Sequence, residues 1–289
     1  MKVLILGAKG MLGKALAVEF KNGYEVFAYD KEDLDVTDKN KTKTKLEKIK
    51  PNIVINAAAY NAVDKIEENA DDERLAKQIN GYAVGALAEI CRNLNIILVH
   101  YSSDYVFKGD KKDGYNEEDI PGPVNKYGET KLLGEKQIIN FQSQIPNLKF
   151  YLIRLSKLFG KSGEDAGVKK SFIDVILDLH NKGKREFDLI DEELSCPTYA
   201  PDLARLTREL VESGRPWGIY HGANNGACAW YDFAREIFKI ENFDVKCNPL
   251  PAARFPRLSK RPRYSVLLNT KLPPQRSWQE ALKEYLEKR

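Results

Sequence analysis

Three side chains able to move protons fall at telling distances in this sequence. Tyr127-Gly128-Glu129-Thr130-Lys131 is a Tyr-x-x-x-Lys pentad, and Ser103 precedes Tyr127 by 24 residues. On a helix, positions i and i+4 lie one turn apart on the same face. An ammonium beside a phenol favours the phenolate and lowers the tyrosine pKa. Such a tyrosine can pass its proton to a carbonyl oxygen while a hydride arrives from a nicotinamide. A hydroxyl at Ser103 would be a second donor to the same oxygen. Taken singly these features are weak: the pentad is common, and a serine in Ser102-Ser103 is as readily a turn or cap residue. Their weight comes from Gly7-Ala8-Lys9-Gly10-Met11-Leu12-Gly13, a GxxGxxG turn between an apolar run and a helical stretch. Gly7 allows the tight turn, Gly10 lets the backbone approach a pyrophosphate, and Gly13 lets the helix pack closely. The helix N-terminus adds amide donors and a partial positive charge.

These residues need a scaffold, and the chain supplies short apolar runs alternating with helical patterns. Strands are expected at Lys2–Leu6, Tyr24–Tyr29, Asn52–Asn56, Ile96–Tyr101 and Phe150–Leu155. Helices are expected at Met11–Phe20, Lys39–Lys50, Ala70–Leu94 and Tyr127–Asn140. This is an α/β pattern: a Rossmann-type doubly wound parallel sheet with helices on both faces. Its ligands bind at the strand C-termini. After about residue 160 the pattern is less regular, with helices expected at Lys170–Lys182, Asp202–Ser213, Trp230–Phe238 and Trp278–Lys288 between many prolines. The expected division is a cofactor domain, 1–160, and a smaller C-terminal substrate-binding lobe, 161–289, partly interwoven with it.

The strand tips extend the candidate list. Asp30 ends the second strand, where a carboxylate accepts from the adenosine ribose, and Lys31 and Lys9 are candidates for a 2′-phosphate. The choice between NADH and NADPH therefore stays open. Ala57, Ala58 and Ala59 end the third strand, and small residues there would let a cofactor lie flat.

Composition narrows the classes. Of 289 residues, 43% are hydrophobic, enough to bury a core. The net charge of +4, from 46 basic and 42 acidic residues, is spread along the chain. It calls for no nucleic acid and suits anionic small ligands. No apolar run has the length of a membrane span, and the N-terminal run fits a strand better than a signal peptide, so the cytoplasm is the expected compartment. Cys91, Cys196, Cys228 and Cys247 are far apart, and the three histidines have no metal-ligand spacing to them, so no metal and no disulfide framework are expected.

In order along its length the sequence resembles the extended short-chain dehydrogenase/reductases, and within them the dTDP-4-dehydrorhamnose reductase family. The matching stretches include Gly7 to Gly13, Leu34-Asp35-Val36-Thr37-Asp38, and Asn56-Ala57-Ala58-Ala59-Tyr60 with Val63-Asp64-Lys65. They continue with Ser103-Asp104-Tyr105-Val106-Phe107, Pro123 to Lys131, Ile153-Arg154-Leu155-Ser156, Pro197 to Ala204, Gly218 to His221 and Arg261-Pro262. The resemblance implies reduction of the C4 keto group of a nucleotide-linked 4-keto-6-deoxy sugar by NADPH, or by NADH. Tyr127 would be the general acid. Lys131 would tune it and hold the nicotinamide ribose, and Ser103 would bind the C4 carbonyl. Asp35 and Val36 would flank the adenine, Ala57 to Tyr60 would line the cofactor, and Asn80 would support the central helix. Asp104, Val106, Lys157 and Tyr199 join Ser103 and Tyr127 as substrate-side candidates. Tyr199, Arg154, Arg261 and Arg263 are candidates for the diphosphate, with ordinary salt bridges an equal alternative for each. A homodimer is expected, with an upstream dehydratase and epimerase as pathway partners.

Two positions depart from the family pattern. Lys157 stands where an aromatic residue contacts the sugar, and Cys196 stands in a Gly-Ser-Pro-Thr segment. Two rival readings follow from the same resemblance. A bifunctional 3,5-epimerase/4-reductase would need an acid–base pair; its relatives carry cysteine at the position of Asp104, and His180 and Lys157 are the substitutes to weigh. An NADP-binding regulatory subunit of methionine adenosyltransferase type would need no Ser–Tyr–Lys set.

Overall fold

Alternation within the strands builds the fold. In β1 (Lys2–Leu6), Val3 and Ile5 face one side and Leu4 and Leu6 the other, and all four are buried. A strand apolar on both faces needs cover on both. The computed structural model describes residues 1–144, 147–161 and 171–289. In it β1 joins β2 (Glu25–Tyr29), β3 (Ile53–Asn56), β4 (Ile97–Ser103), β5 (Phe150–Leu155) and β9 (Gly218–His221) in one parallel sheet of order β2-β1-β3-β4-β5-β9.

On the first face, Leu12, Leu16 and Phe20 of α1 (Met11–Phe20) pack with Leu203, Leu206 and Leu210 of α8 (Ala200–Glu212) over Val3, Ile5, Ile55 and Ile153. On the second, Leu46 and Ile49 of α2 (Lys39–Ile49) join Val84, Leu87 and Ile90 of α5 (Ala83–Asn93) and Ile138 of α6 (Lys126–Gln144) over Leu4, Leu6, Val54 and Leu152. Each such fully buried side chain contributes roughly 1.5–3 kcal/mol. The helix α2 is capped by the Asp38 carboxylate on the Lys41 amide and stops at Lys50, which takes a left-handed φ of 53° before Pro51.

Three features differ from the sequence-based expectation. The single helix expected over Ala70–Leu94 is preceded by α3 (Val63–Glu68) and divided into α4 (Ala70–Lys77), a π-helical turn (Gln78–Tyr82) and α5. A π-helical turn has no residue signature of its own, so apolar residues on both sides of it read as one helix. The sixth sheet strand, β9, has no counterpart among the expected strands; like α8, which covers α1, it comes from beyond residue 160. Finally, two short parallel pairs were not anticipated: β6 (Leu158–Phe159) with β8 (Thr198–Tyr199), and β7 (Glu186–Ile190) with β10 (Lys246–Leu250).

Outside the sheet, α7 (Phe172–Asn181), α9 (Trp230–Ile240) and α10 (Trp278–Lys288) form a second core around Phe159, Ile173, Phe233, Ile237, Trp278 and Leu282. Ser171 caps α7 in a reciprocal capping box with Asp174; Lys170, expected as the first residue of that helix, lies outside the described residues.

Candidate active site

Strand register brings the expected groups to one edge. Leu6, Asn56 and His100 are direct neighbours across β1, β3 and β4. The glycine turn, Ala57–Ala59 and Tyr101–Ser103 therefore leave the sheet side by side, where the strand order reverses.

The turn is as tight as its glycines require. Gly7 has φ +75°, and a Cβ on it would stand 2.7 Å from the Ala58 amide nitrogen. A Cβ on Gly13 would stand 2.2 Å from the Gly7 oxygen, whereas one on Gly10 would meet only that oxygen, at 3.3 Å. The outer side of Gly10 is thus open backbone at the start of α1, which has no side-chain cap. This is a cradle for an anionic group that a side chain would fill, and it fits a dinucleotide pyrophosphate. Met11 and Leu12 offer backbone amides there, since the Leu12 side chain is buried in the core. Asp30 accepts from the Lys9 amide at 2.8 Å and the Lys31 amide at 2.8 Å, binding the second strand to the turn. The Lys9 ammonium reaches Glu32 at 3.2 Å. Asp35 accepts from the amide and hydroxyl of Thr37, which hold its carboxyl below the usual range, and Val36 packs against the second-face core.

Tyr127 and Lys131 open α6. Asn125 caps the helix, its Oδ1 accepting from the Gly128 amide at 2.7 Å. Gly128 is obligatory, because a Cβ would stand 2.2 Å from the Tyr105 carbonyl oxygen. That contact seats α6 on the 3-10 turn Asp104–Val106, and the Tyr127 ring meets the Tyr105 ring edge-on at 5.6 Å. Burial and the Asp104 charge push the Tyr127 phenol up to about 12, partly offset by the Ser103 hydroxyl. The expected depression by Lys131 is absent from this arrangement. Burial instead brings Lys131 itself down to about 8, against the pull of Glu135, and its ammonium donates to the Tyr101 carbonyl at 2.7 Å. A phenol that keeps its proton at neutral pH is what an acid needs.

The structure reassigns several candidates. Asn80 is wholly buried and bonded within the protein: Oδ1 accepts from the Tyr60 amide at 2.9 Å, and Nδ2 donates to the Tyr60 carbonyl at 2.9 Å and the Thr130 hydroxyl at 3.0 Å. It braces the strand-tip segment against α6. The Tyr60 hydroxyl donates to Asp72. Tyr199 is not brought to the cluster; its ring stacks on Phe159 at 5.2 Å within the second core. Arg154 is fully buried and donates to Glu135 at 3.0 and 2.7 Å, so it holds protein, not diphosphate. Arg261 pairs with Asp64 at 2.8 Å, and Arg263 with Glu192 at 3.5 Å. His180 stacks flat on Phe243, with ring centroids 3.7 Å apart, in the lobe.

Lys157 adopts a left-handed φ of 38° just after β5. Its ammonium donates to the Cys228 carbonyl at 2.8 Å and lies 4.6 Å from the centre of the Trp230 ring. Burial holds its pKa down, with Asp104 among the groups opposing this. Cys196 is buried among Val106, Phe107 and Leu267, a packing environment that raises its thiol to about 11. Val106 is fully buried in that same cluster. Among the described residues there is no cluster of metal-ligating side chains and no helix long and apolar enough to cross a membrane.

Four contributors escaped the sequence reading. Glu135 repeats the i+4 step after Lys131 and was findable on that ground. Ser156 and Ser265 donate to Asp104, and Glu117 accepts from Thr270; only tertiary contacts reveal these roles.

The family model described as "RmlD substrate binding domain" matches residues 1–289. The spore coat polysaccharide biosynthesis protein SpsK of Bacillus subtilis is 33% identical, over 100% of this chain and 98% of that protein. A dTDP-4-dehydrorhamnose reductase of Aggregatibacter actinomycetemcomitans is 34% identical, over 98% of this chain and 97% of that protein. Among solved structures, dTDP-4-dehydrorhamnose reductase from Bacillus anthracis in complex with NADP superposes with a TM-score of 0.91 at 31% identity, covering 100% of this chain and 99% of that one.

Proposed function

Since the chain belongs to the RmlD substrate binding domain family over its whole length, we propose that it is an NADPH-dependent reductase of the C4 ketone of a dTDP-linked 4-keto-6-deoxy sugar. The observation that carries this reading is the anchoring of Lys131 on the Tyr101 carbonyl at the end of β4, with Tyr127 one helical turn before it and Ser103 two residues after Tyr101, at the sheet edge that also holds the open glycine cradle. The relative crystallised with NADP supports the cofactor choice, and Lys9 and Lys31 supply positive charge near the second strand's tip.

NADPH, when bound, supplies the hydride. The protein's own part is positioning and proton supply. Gly7, Gly10 and the first amides of α1 would hold the pyrophosphate. The alanine tips would let the nicotinamide end lie close to β4. Tyr127 keeps its proton until a carbonyl oxygen takes it, and Lys131 is anchored one helical turn away.

The anionic end of the substrate has a seat of matching charge. Residues 251–263 carry Arg254, Arg257, Lys260, Arg261 and Arg263 and no acidic residue. The segment is tied to the lobe by Arg257–Glu193, and to the α3–α6 side by Arg261–Asp64 and the Asn125–Lys260 hydrogen bond. Arg254 and Lys260 make no ion pair among the described residues, and Phe255 and Leu258 between them are exposed. Such a strap suits a nucleoside diphosphate. We assign residues 1–160 with the returning segment 200–221 to cofactor binding, and the remaining C-terminal residues to the substrate. An upstream dehydratase and epimerase in the same compartment, the cytoplasm, would supply the ketosugar, and the chain would act as a homodimer.

The epimerase alternative is disfavoured because His180 is stacked in the lobe and the Lys157 ammonium is occupied by carbonyls. An NADPH-oxidation screen over 4-keto-6-deoxy sugars carrying dTDP, UDP or GDP tests the reading. Turnover with the dTDP compound is expected. Tight NADP binding with no turnover on any of them would favour the regulatory-subunit reading. Deuterium entering C3 or C5 in deuterated water without added epimerase would sink the reductase-only reading.

A further inference from the structure

We propose that Asp104 is the positioning residue of the Ser103–Tyr127 pair: clamped by the hydroxyls of Ser156 and Ser265, it holds the Ser103 hydroxyl in place and keeps the transferable proton on Tyr127. The proposal deepens the reductase reading and rests on it. Asp104 is 2% exposed, and its carboxylate receives three hydroxyls from three parts of the chain. Ser103 donates to Oδ1 at 2.9 Å, while Ser156 and Ser265 donate to Oδ2 at 2.8 and 2.6 Å. No ion pair reaches Asp104 among the described residues, since the nearby Lys157 ammonium bonds to the carbonyls of Glu193 and Cys228. A buried carboxylate without a cation is costly unless its lone pairs are filled. Here the serines fill them, and charge-assisted hydroxyl bonds are the stronger kind.

A serine has one proton to give. That of Ser103 goes to Asp104, and the Ser103 oxygen already receives the Tyr105 amide at 3.2 Å. The Ser103 hydroxyl is therefore fixed in direction by Asp104 and the turn. It donates to a ketone only by breaking its bond to Asp104. The roles divide accordingly: Tyr127 gives the proton, and Ser103 aims it. The other groups around the pair are Lys131 on α6, Tyr105 in the turn, Lys157 after β5, Cys196 before β8, and Arg261, whose guanidinium lies 5.9 Å from the Tyr105 ring centre. Asp104 is the anion among those that act on the phenol.

Asp104→Asn keeps the shape and removes the charge. In the reductase assay its alkaline limb in the pH profile of kcat/KM is expected to fall by about one pH unit, with kcat reduced about tenfold and the NADPH Kd unchanged. Ser265→Ala is expected to shift the limb in the same direction by less, and Ser265→Thr to restore it. A second readout needs no substrate: the ultraviolet tyrosinate titration, wild type minus Tyr127→Phe, compared with the same difference in the Asp104→Asn background. The Tyr127 step is expected to move to lower pH when Asp104 is neutral. If that step stays in place, the proposal fails, whether or not a ketosugar is turned over. If it moves and no ketosugar is reduced, the reductase reading alone fails. A kcat loss in Asp104→Asn with an unmoved pH profile would likewise reduce Asp104 to a packing residue.

Discussion

Arg154 of β5 and Glu135 of α6 form a two-pronged, fully buried ion pair, with Nε donating to Oε1 at 3.0 Å and Nη2 to Oε2 at 2.7 Å. Glu135 lies one helical turn beyond Lys131 and two beyond Tyr127, so this pair locks the catalytic face of α6 to the sheet. Phe107 lies under the guanidinium, 4.9 Å from its centre. Removing one partner strands a buried charge, which costs about 3–5 kcal/mol. Glu135→Ala should therefore lower urea-unfolding stability by that order, and Arg154→Lys should fail to substitute, having no fork. A loss below about 1 kcal/mol would mean that the pair does not brace the helix.

Tyr127→Phe removes only the hydroxyl. Its kcat should drop at least about 10²-fold, while NADPH affinity measured by fluorescence or calorimetry should stay near the wild-type value. Retained turnover would transfer the acid role elsewhere.

Lys131 gives a pH-dependent signature in stability. Its folded pKa is about 8 against an ordinary 10.5. Between those values the unfolded chain holds a proton that the folded chain has lost, so stability rises with pH across that window. Below about 8 both states are charged and the burial penalty is at its full size. The unfolding free energy of wild type minus Lys131→Met should therefore climb by up to about 3 kcal/mol across the window, at about 1.4 kcal/mol per pKa unit. A flat difference would show a solvated ammonium.

Close approach of the π-helical turn to α6 depends on a missing side chain. A Cβ on Gly134 would stand 2.2 Å from the Asn80 carbonyl oxygen, whereas one on Gly122 would meet only the Lys108 Cβ at 3.8 Å. Gly134→Ala should cost about 1–3 kcal/mol or more by overpacking and should also loosen the Asn80 brace, while Gly122→Ala should leave the melting temperature nearly unchanged. Equal effects would remove the steric explanation.

The basic strap should act on binding more than on chemistry. Arg254→Ser with Lys260→Ser is expected to raise KM for the sugar nucleotide roughly threefold to tenfold and to flatten its salt dependence, with kcat kept. A fall in kcat at constant KM would place the strap's role in the reaction step.

Much of the scaffold was legible because it is local. Val3 to Leu6 announce a doubly buried strand, and Gly7 to Gly13 announce the turn that follows it. Tyr127 and Lys131 declare a shared helical face. The hidden parts depend on contacts between distant residues. Nothing near Arg154 in sequence says that Glu135 claims it, so a surface or diphosphate role was equally open. Asn80 reads as a polar helical residue until the π-helical turn aims its amide at Tyr60. Asp104 had to be seen with Ser156 and Ser265, which lie 52 and 161 residues away. Tyr199 failed as a ligand candidate because an aromatic beside a strand end is equally a core residue, and its stacking on Phe159 decides the matter.

The late return of the chain to the sheet has a consequence in time. Strand β9 pairs with β5 through Tyr151–Gly218 to Arg154–His221, and α8 covers Leu16 and Phe20 on α1. As the polypeptide is synthesised, the five earlier strands emerge with one face of the sheet covered only by α1 and the outer edge of β5 still bare. They must wait for some sixty further residues, most of them belonging to the lobe, before α8 and β9 arrive. The nascent cofactor domain thus remains sticky and unfinished until the first part of the lobe has been made, and a chain interrupted at residue 160 should aggregate before it can bind a nucleotide.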